Sequence, residues 1–177
     1  DSLSFLYHIP VMDRHTDRII LRLYVFSILF SLLWIGLIFL APVLHRQGHP
    51  LGALLYGAFA PTCHQIPSRC FSIAGFPLAV CSRCLGIYVG FLTGFIHYSL
   101  LRGLSGVRLP KTSALLLVSL PIALDAAAHF TRLGFSPLWL RFTTGWIWGQ
   151  ILPYYWMTGL TLFFRSIQKK SSMRRFF

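Results

Sequence analysis

The chain has 177 residues, of which 55% are apolar and 11% charged, and a formal net charge of +12. Soluble domains carry about 25% charged residues, so too few charges exist here to cover a water-exposed surface. An aromatic content of 16% excludes a disordered chain. All four acidic residues are aspartates, and three of them (Asp1, Asp13, Asp17) sit at the N-terminus, which leaves Asp125 as the only carboxylate side chain in the rest of the sequence. Paired-carboxylate glycoside hydrolysis and a carboxylate-caged calcium site therefore have no material.

In chain order, a basic N-terminal tail leads into a first apolar run at 23–44. It is longer than a signal-peptide core, lacks a small-residue cleavage site after Pro42, and is expected to be retained as a span. An apolar stretch from Leu51 to Ala60, bounded by Pro50 and Pro61, is too short to cross a bilayer and reads as a re-entrant or interfacial helix. Three further runs follow at 85–101, 112–130 and 142–164. Each approaches the roughly 20 residues that a helix needs to cross a bilayer, and a segment in lipid must satisfy its own backbone hydrogen bonds, which favours helix. The expected fold is an all-α integral membrane domain over residues 1–177. It has four transmembrane helices and a Cys/His-containing extracytoplasmic loop at 45–84.

Orientation follows from the basic residues. The N-terminal tail, the 102–111 loop and the C-terminal tail carry 11 Lys and Arg, against 5 in the alternate segments (Arg46, Arg69, Arg83, Arg132, Arg141). The positive-inside rule puts both termini in the cytoplasm. The basic tail at 165–175 reads as a topology signal before a headgroup-binding patch. The excess charge flanks apolar runs and forms no stripe on a soluble fold, so nucleic acid is not an expected partner.

Small residues at four-residue spacing place Gly86, Gly90 and Gly94 on one face of the second run; Ala123 with Ala127, and Gly145 with Gly149, do the same on the third and fourth. Such stripes let helix backbones approach closely in lipid. A compact bundle of the last three spans is expected, with the first more peripheral.

All four cysteines fall in one short stretch, at Cys63, Cys70, Cys81 and Cys84, with His64 beside the first. A C-x-x-C pair presents two thiolates to one ion, and zinc favours four N or S ligands in a tetrahedron. Cys81 and Cys84 form that pair, and Cys63 with His64 or Cys70 completes the set; Pro67, Gly75 and Pro77 let the loop fold back. The competing reading is disulfide or redox chemistry: the loop is expected on the oxidising side, and Arg83 and the start of a helix lower a thiol pKa at Cys81 or Cys84. Isolated buried thiols are the third possibility, disfavoured by the clustering.

Topology brings Asp125, His129 and Arg141 to the same membrane boundary as the cysteines. A carboxylate within a span requires a partner. Arg141 is the expected one, with Arg83, Arg69 and a ligand histidine as alternatives, and Asp125 and His129 are also candidates to orient metal ligands. The arginines suit a phosphate or lipid headgroup. His97, inside the second span among tryptophans, reads as a hydrogen-bonded packing residue before a pigment or haem ligand.

The run CHQIPSRCFSIAGFPLAVCSRCLGIYVG, followed by PIALDAAAH and LRFTTGWIWG, resembles the domain of unknown function 2085 family of small polytopic membrane proteins. The resemblance spans roughly residues 50 to 155 and supplies no activity. It implies a Cys/His cluster and carries over Cys63, His64, Arg69, Cys81, Arg83, Cys84, Asp125 and Arg141. Related sequences often have Ser where this chain has Cys70, which leaves His64 as the implied fourth ligand. The expected function is a membrane protein with a structural zinc-like site at Cys63, His64, Cys81 and Cys84, serving as an accessory subunit of a larger membrane complex in contact with lipids. No general base is evident, so an enzyme is not the leading expectation. The alternatives are a thiol-disulfide oxidoreductase using Cys81 and Cys84, a binder or transporter of a lipid phosphate or metal ion, and a pigment- or haem-contacting subunit.

Overall fold

The computed structural model describes residues 14–102, 110–130 and 136–173 and is mostly helical. Among the described residues six helices run in chain order: α1 Arg14–Arg46, α2 Pro50–Phe59, α3 Ser82–Arg102, α4 Thr112–Phe130, α5 Leu138–Gly149 and α6 Leu152–Met173. Between α2 and α3 lie a 3-10 turn at Pro67–Arg69 and a small antiparallel hairpin, β1 Ser72–Ile73 and β2 Phe76–Pro77.

Helix α1 contains the segment Arg18–Arg46, which is long and apolar enough to cross a bilayer, with a mean hydropathy of 2.5 over its most apolar window. Its C-terminus turns sharply at Gly48, whose φ of +70° places it in the left-handed region, where glycine carries no Cβ penalty. His49 then caps α2: its Nδ1 accepts from the Leu51 amide at 3.2 Å, and Pro50 occupies the first helical turn, where a missing N–H costs nothing. Gly52 lies so close to the end of α1 that a Cβ there would sit 2.5 Å from the His45 nitrogen. The α1–α2 corner is thus a tight helical hairpin that aims the end of α2 at the cysteine loop.

The β hairpin turns at Ala74 and Gly75, both with positive φ (54° and 87°), the two-residue geometry that matches strand twist. It pairs Ser72 with Pro77 and Ile73 with Phe76. The chain then passes through Leu78, Ala79 and Val80, all buried, into α3. These residues form one core with Ile38 and Ala41 of α1, Phe59 of α2, Cys63 and Leu85. A second, smaller core joins Ile20, Phe95, Tyr98 and Met157 at the other end of the helices.

Helix α3 packs most extensively against α5, through the glycine stripes. A Cβ at Gly86 would overlap the Phe142 carbonyl oxygen, one at Gly90 the Trp146 oxygen, and one at Gly149 the Ile87 oxygen. Three tryptophans cross-link helices through their indole N–H groups. Trp146 donates to Thr93 of α3 at 3.1 Å, Trp148 to Ser119 of α4 at 3.0 Å, and Trp156 to Ser27 of α1 at 3.0 Å. His97, exposed on α3, shares a hydrogen bond with Gln150 at 2.8 Å, so it is hydrogen-bonded as expected but not packed in the core.

Three expectations need correction. The 142–164 run is not one continuous helix: it divides into α5 and α6. Pro153 has no N–H to donate to the Gly149 carbonyl and its ring crowds that oxygen, which interrupts the ladder. The first run is not peripheral, since α1 packs on α2, α3, α6 and both strands. The peripheral helix is α4, which packs chiefly on α5 and leaves Leu116 and Leu117 exposed at 68% and 71%. The Ala123 position on α4 is likewise exposed and closes no glycine-type interface.

Candidate metal centre

Three segments build the site. The loop after α2 supplies Cys63, the start of α3 supplies Cys81 and Cys84, and the start of α5 supplies Arg141. The loop is fixed from both sides. Gln65 adopts a positive φ of 51°, and its amide nitrogen donates to the carbonyl oxygens of Tyr56 at 2.7 Å and Ala79 at 2.8 Å. Those two bonds tie the end of α2 to the strand-to-helix segment. The Tyr56 hydroxyl adds a third tie, donating to the Pro77 carbonyl.

The result is a cluster in which the sulfurs of Cys63, Cys81 and Cys84 all lie within 4.8 Å of one another. The Cys81 amide donates to Cys63 Sγ at 3.1 Å. The Cys81 carbonyl also accepts the first helical bond of α3, from Leu85 at 2.9 Å, so one residue serves both as helix cap and as cluster member. Hydrogen bonds from the Cys81 and Cys84 thiols, followed by those from backbone amides, hold the Cys63 thiol well below its ordinary range against the opposing effect of burial. A thiolate is the form that binds metal. In a tetrahedral zinc–thiolate site with Zn–S near 2.3 Å, sulfurs stand about 3.8 Å apart, so the three here could close on one ion with small side-chain shifts. The donor set fits a soft or borderline metal.

Cys70 is outside the cluster. Its thiol donates to the Ile66 carbonyl at 3.2 Å, and burial, reinforced by the nearby Cys81 and Cys63 sulfurs, pushes its pKa up to about 12. His64 is exposed and is not among the three clustered ligands, but it lines the same cavity as they do. That cavity, of about 590 Å³, is bounded by the three cysteines, His64, Arg69, Arg83 and Arg141 together with Thr62, Gln65 and Ile66.

The structure pairs Asp125 with Arg83 rather than with Arg141. The carboxylate is buried and joins α4 to the first turn of α3. Arg141, 5% exposed, instead donates from Nε to the Ser136 carbonyl at 3.0 Å, holding the start of α5. His129 belongs to α4, but its side chain lies outside the described residues, as does Arg132. Sequence reasoning missed Gln65, whose role depends on a left-handed backbone that no spacing rule signals.

The family profile described as "predicted membrane protein", domain of unknown function 2085, matches residues 63–155. An uncharacterized protein of Methanocaldococcus jannaschii is 36% identical over 155 residues, covering 84% of this chain and 97% of that protein. The chain belongs to the domain of unknown function 2085 family. A second relative, an uncharacterized protein of Methanothermobacter thermautotrophicus, is 39% identical over 87 residues, 49% of this chain and 77% of that protein. No solved structure matches. The 2085-family segment begins at Cys63 and ends at Tyr155, so it encloses the cysteine cluster, the Arg83–Asp125 pair and the α3–α5 glycine interface.

Proposed function

We propose that this 2085-family protein is a four-span membrane protein whose extracytoplasmic loop holds a structural metal ion, zinc being the best fit, and that it serves as an accessory subunit of a larger membrane complex. Both termini face the cytoplasm in this reading. The observation that carries it is the approach of Cys63 to Cys81 and Cys84, two separated stretches of chain whose sulfurs converge within 4.8 Å. An ion there fastens the end of α2 to the start of α3. His64 supplies the fourth ligand by swinging in from the cavity wall. The broad apolar faces of α1 and α4 suit lipid and the helices of a partner.

The test is metal analysis of the purified protein in detergent, combined with thiol counting under denaturing conditions. The expected result is about one bound ion per chain, lost in Cys63→Ser, Cys81→Ser and Cys84→Ser and kept in Cys70→Ser. A metal-free protein in which Cys81 and Cys84 cycle with dithiol reagents overturns this reading in favour of thiol-disulfide exchange.

A further inference from the structure

The cavity beside the cysteine cluster holds more positive charge than its acidic groups balance. Arg69, Arg83 and Arg141 line it, and Asp125, the only carboxylate past the N-terminal tail, is bound by Arg83. Arg83 and Arg141, set against that one carboxylate, leave positive charge over in the cavity lining.

Geometry adds to the charge count. Arg141 is 5% exposed yet reaches the cavity wall. Arg83 Nε is buried without a hydrogen-bond partner among the described residues, and an unsatisfied donor on a charged group is costly to keep. Arg83 and Cys84 belong to the first turn of α3, which carries no acidic residue, so the positive end of that helix acts in the same direction. The volume of about 590 Å³ is that of a small-ligand site.

We infer that this cavity is an anion site for a phosphate group, gripped by the forked guanidinium groups of Arg83 and Arg141, with Arg69 and His64 on the same wall. Guanidinium forks match phosphate oxygens two at a time. Two sources offer that chemistry: the phosphodiester of a membrane lipid headgroup and a free phosphate. The inference rests on the arginines and stands whether or not a metal ion is bound.

The test uses the full-length protein in a neutral detergent, with metal content measured on the same sample. Thermal unfolding is followed at constant ionic strength during titration with inorganic phosphate and, separately, with dihexanoylphosphatidylglycerol. The melting temperature is expected to rise with ligand concentration, since binding to the folded state alone stabilises it. A rise with the lipid alone assigns the headgroup; a rise with inorganic phosphate alone, or with both, assigns a general phosphate site. In Arg83→Lys and Arg141→Lys, which keep the charge but lose the fork, affinity is expected to fall about tenfold. Arg69→Gln provides a third variant should Arg141→Lys fail to fold. Absence of any shift in the wild-type protein overturns the inference, and so does a shift of equal size in every folded variant. Phosphate binding by metal-free protein would retain this site while sinking the structural-metal reading, and a metal-loaded protein blind to phosphate would do the reverse.

Discussion

Cys63 and Cys70 lie in one loop, a short way apart in sequence, yet their sulfurs meet different surroundings. Cys63 receives hydrogen bonds from Cys81 and Cys84, which favour its thiolate; Cys70 is buried, donates to a carbonyl and stays protonated with a pKa pushed up to about 12. The sign follows directly. A raised pKa means that the folded protein keeps the Cys70 proton from pH 9 to 12 while the unfolded chain loses it, so any stability that this thiol contributes is present below pH 9 and declines above it. The same shift governs reactivity, because the thiolate is the nucleophile. At pH 8 iodoacetamide is expected to alkylate Cys70 in the folded protein at least about tenfold more slowly than in the urea-unfolded chain. Mass spectrometry of the alkylated peptides checks this, and equal rates in the two states would contradict the buried, protonated assignment. The sequence exposed the cluster, because four cysteines gathered between positions 63 and 84 rarely scatter as filler. Spacing alone did not rank the ligands; only the family resemblance set Cys70 last. His64 adjoins Cys63 in sequence, and only the left-handed turn at Gln65 decides which side of the loop faces the other thiols.

Between elements, the close approach of α3 to α5 sets the geometry of the site, since Cys84 and Arg83 sit at the top of one helix and Arg141 at the top of the other. Gly90→Ala drives a methyl group into the Trp146 carbonyl oxygen, a backbone atom that cannot rotate away, and to 2.9 Å from the Gly149 Cα. Overpacking of this kind costs about 1–3 kcal/mol, so the melting temperature is expected to fall. Gly159→Ala on α6 is the control: nothing lies within 4 Å of its Cβ position, and relief of helix-interior glycine is worth up to about 1 kcal/mol in favour of folding. Equal effects of the two substitutions would show that the glycine interface does not hold the helices. The Arg83–Asp125 pair is the second tether, between α3 and α4. Asp125→Asn removes the charge opposite a partly buried guanidinium, and a loss of about 2 kcal/mol is expected; in an Arg83→Met variant, measured as a double-mutant cycle, the same change should cost much less. The glycine spacing was legible in the sequence as a helix face. The partner of Asp125 was not, because depth in the membrane places three arginines at one level and spacing cannot choose among them. The break between α5 and α6 was present in the sequence as Pro153, but a scan for uncharged length passes over a residue that interrupts the hydrogen-bond ladder without adding charge.

Across the whole molecule, the exposed apolar residues of α1 and α4 have no protein cover among the described residues, and Phe26, Leu33, Leu116 and Leu117 all stand open. In water such faces would drive association; in a bilayer they are solvated by lipid. The four apolar runs were readable from length and charge alone, whereas the helix that would be peripheral was not, because α1 packs through Ile38 and Ala41 on a loop whose fold spacing does not reveal. Orientation is the property on which both the metal reading and the phosphate reading converge, since it decides which compartment the cavity opens toward. In the proposed orientation, drawn from the 11-against-5 distribution of Lys and Arg, the cysteine loop lies outside and both termini inside. Ser68, exposed within the loop's 3-10 turn, is a suitable reporter. In a Cys70→Ser background, Ser68→Cys is expected to react with a membrane-impermeant maleimide in intact cells, while Lys170→Cys reacts only after permeabilisation. Signal from the second position but not the first in intact cells would invert the topology. The cluster and its arginine-lined cavity would then face the reducing cytoplasm, where four free thiols need no metal to survive.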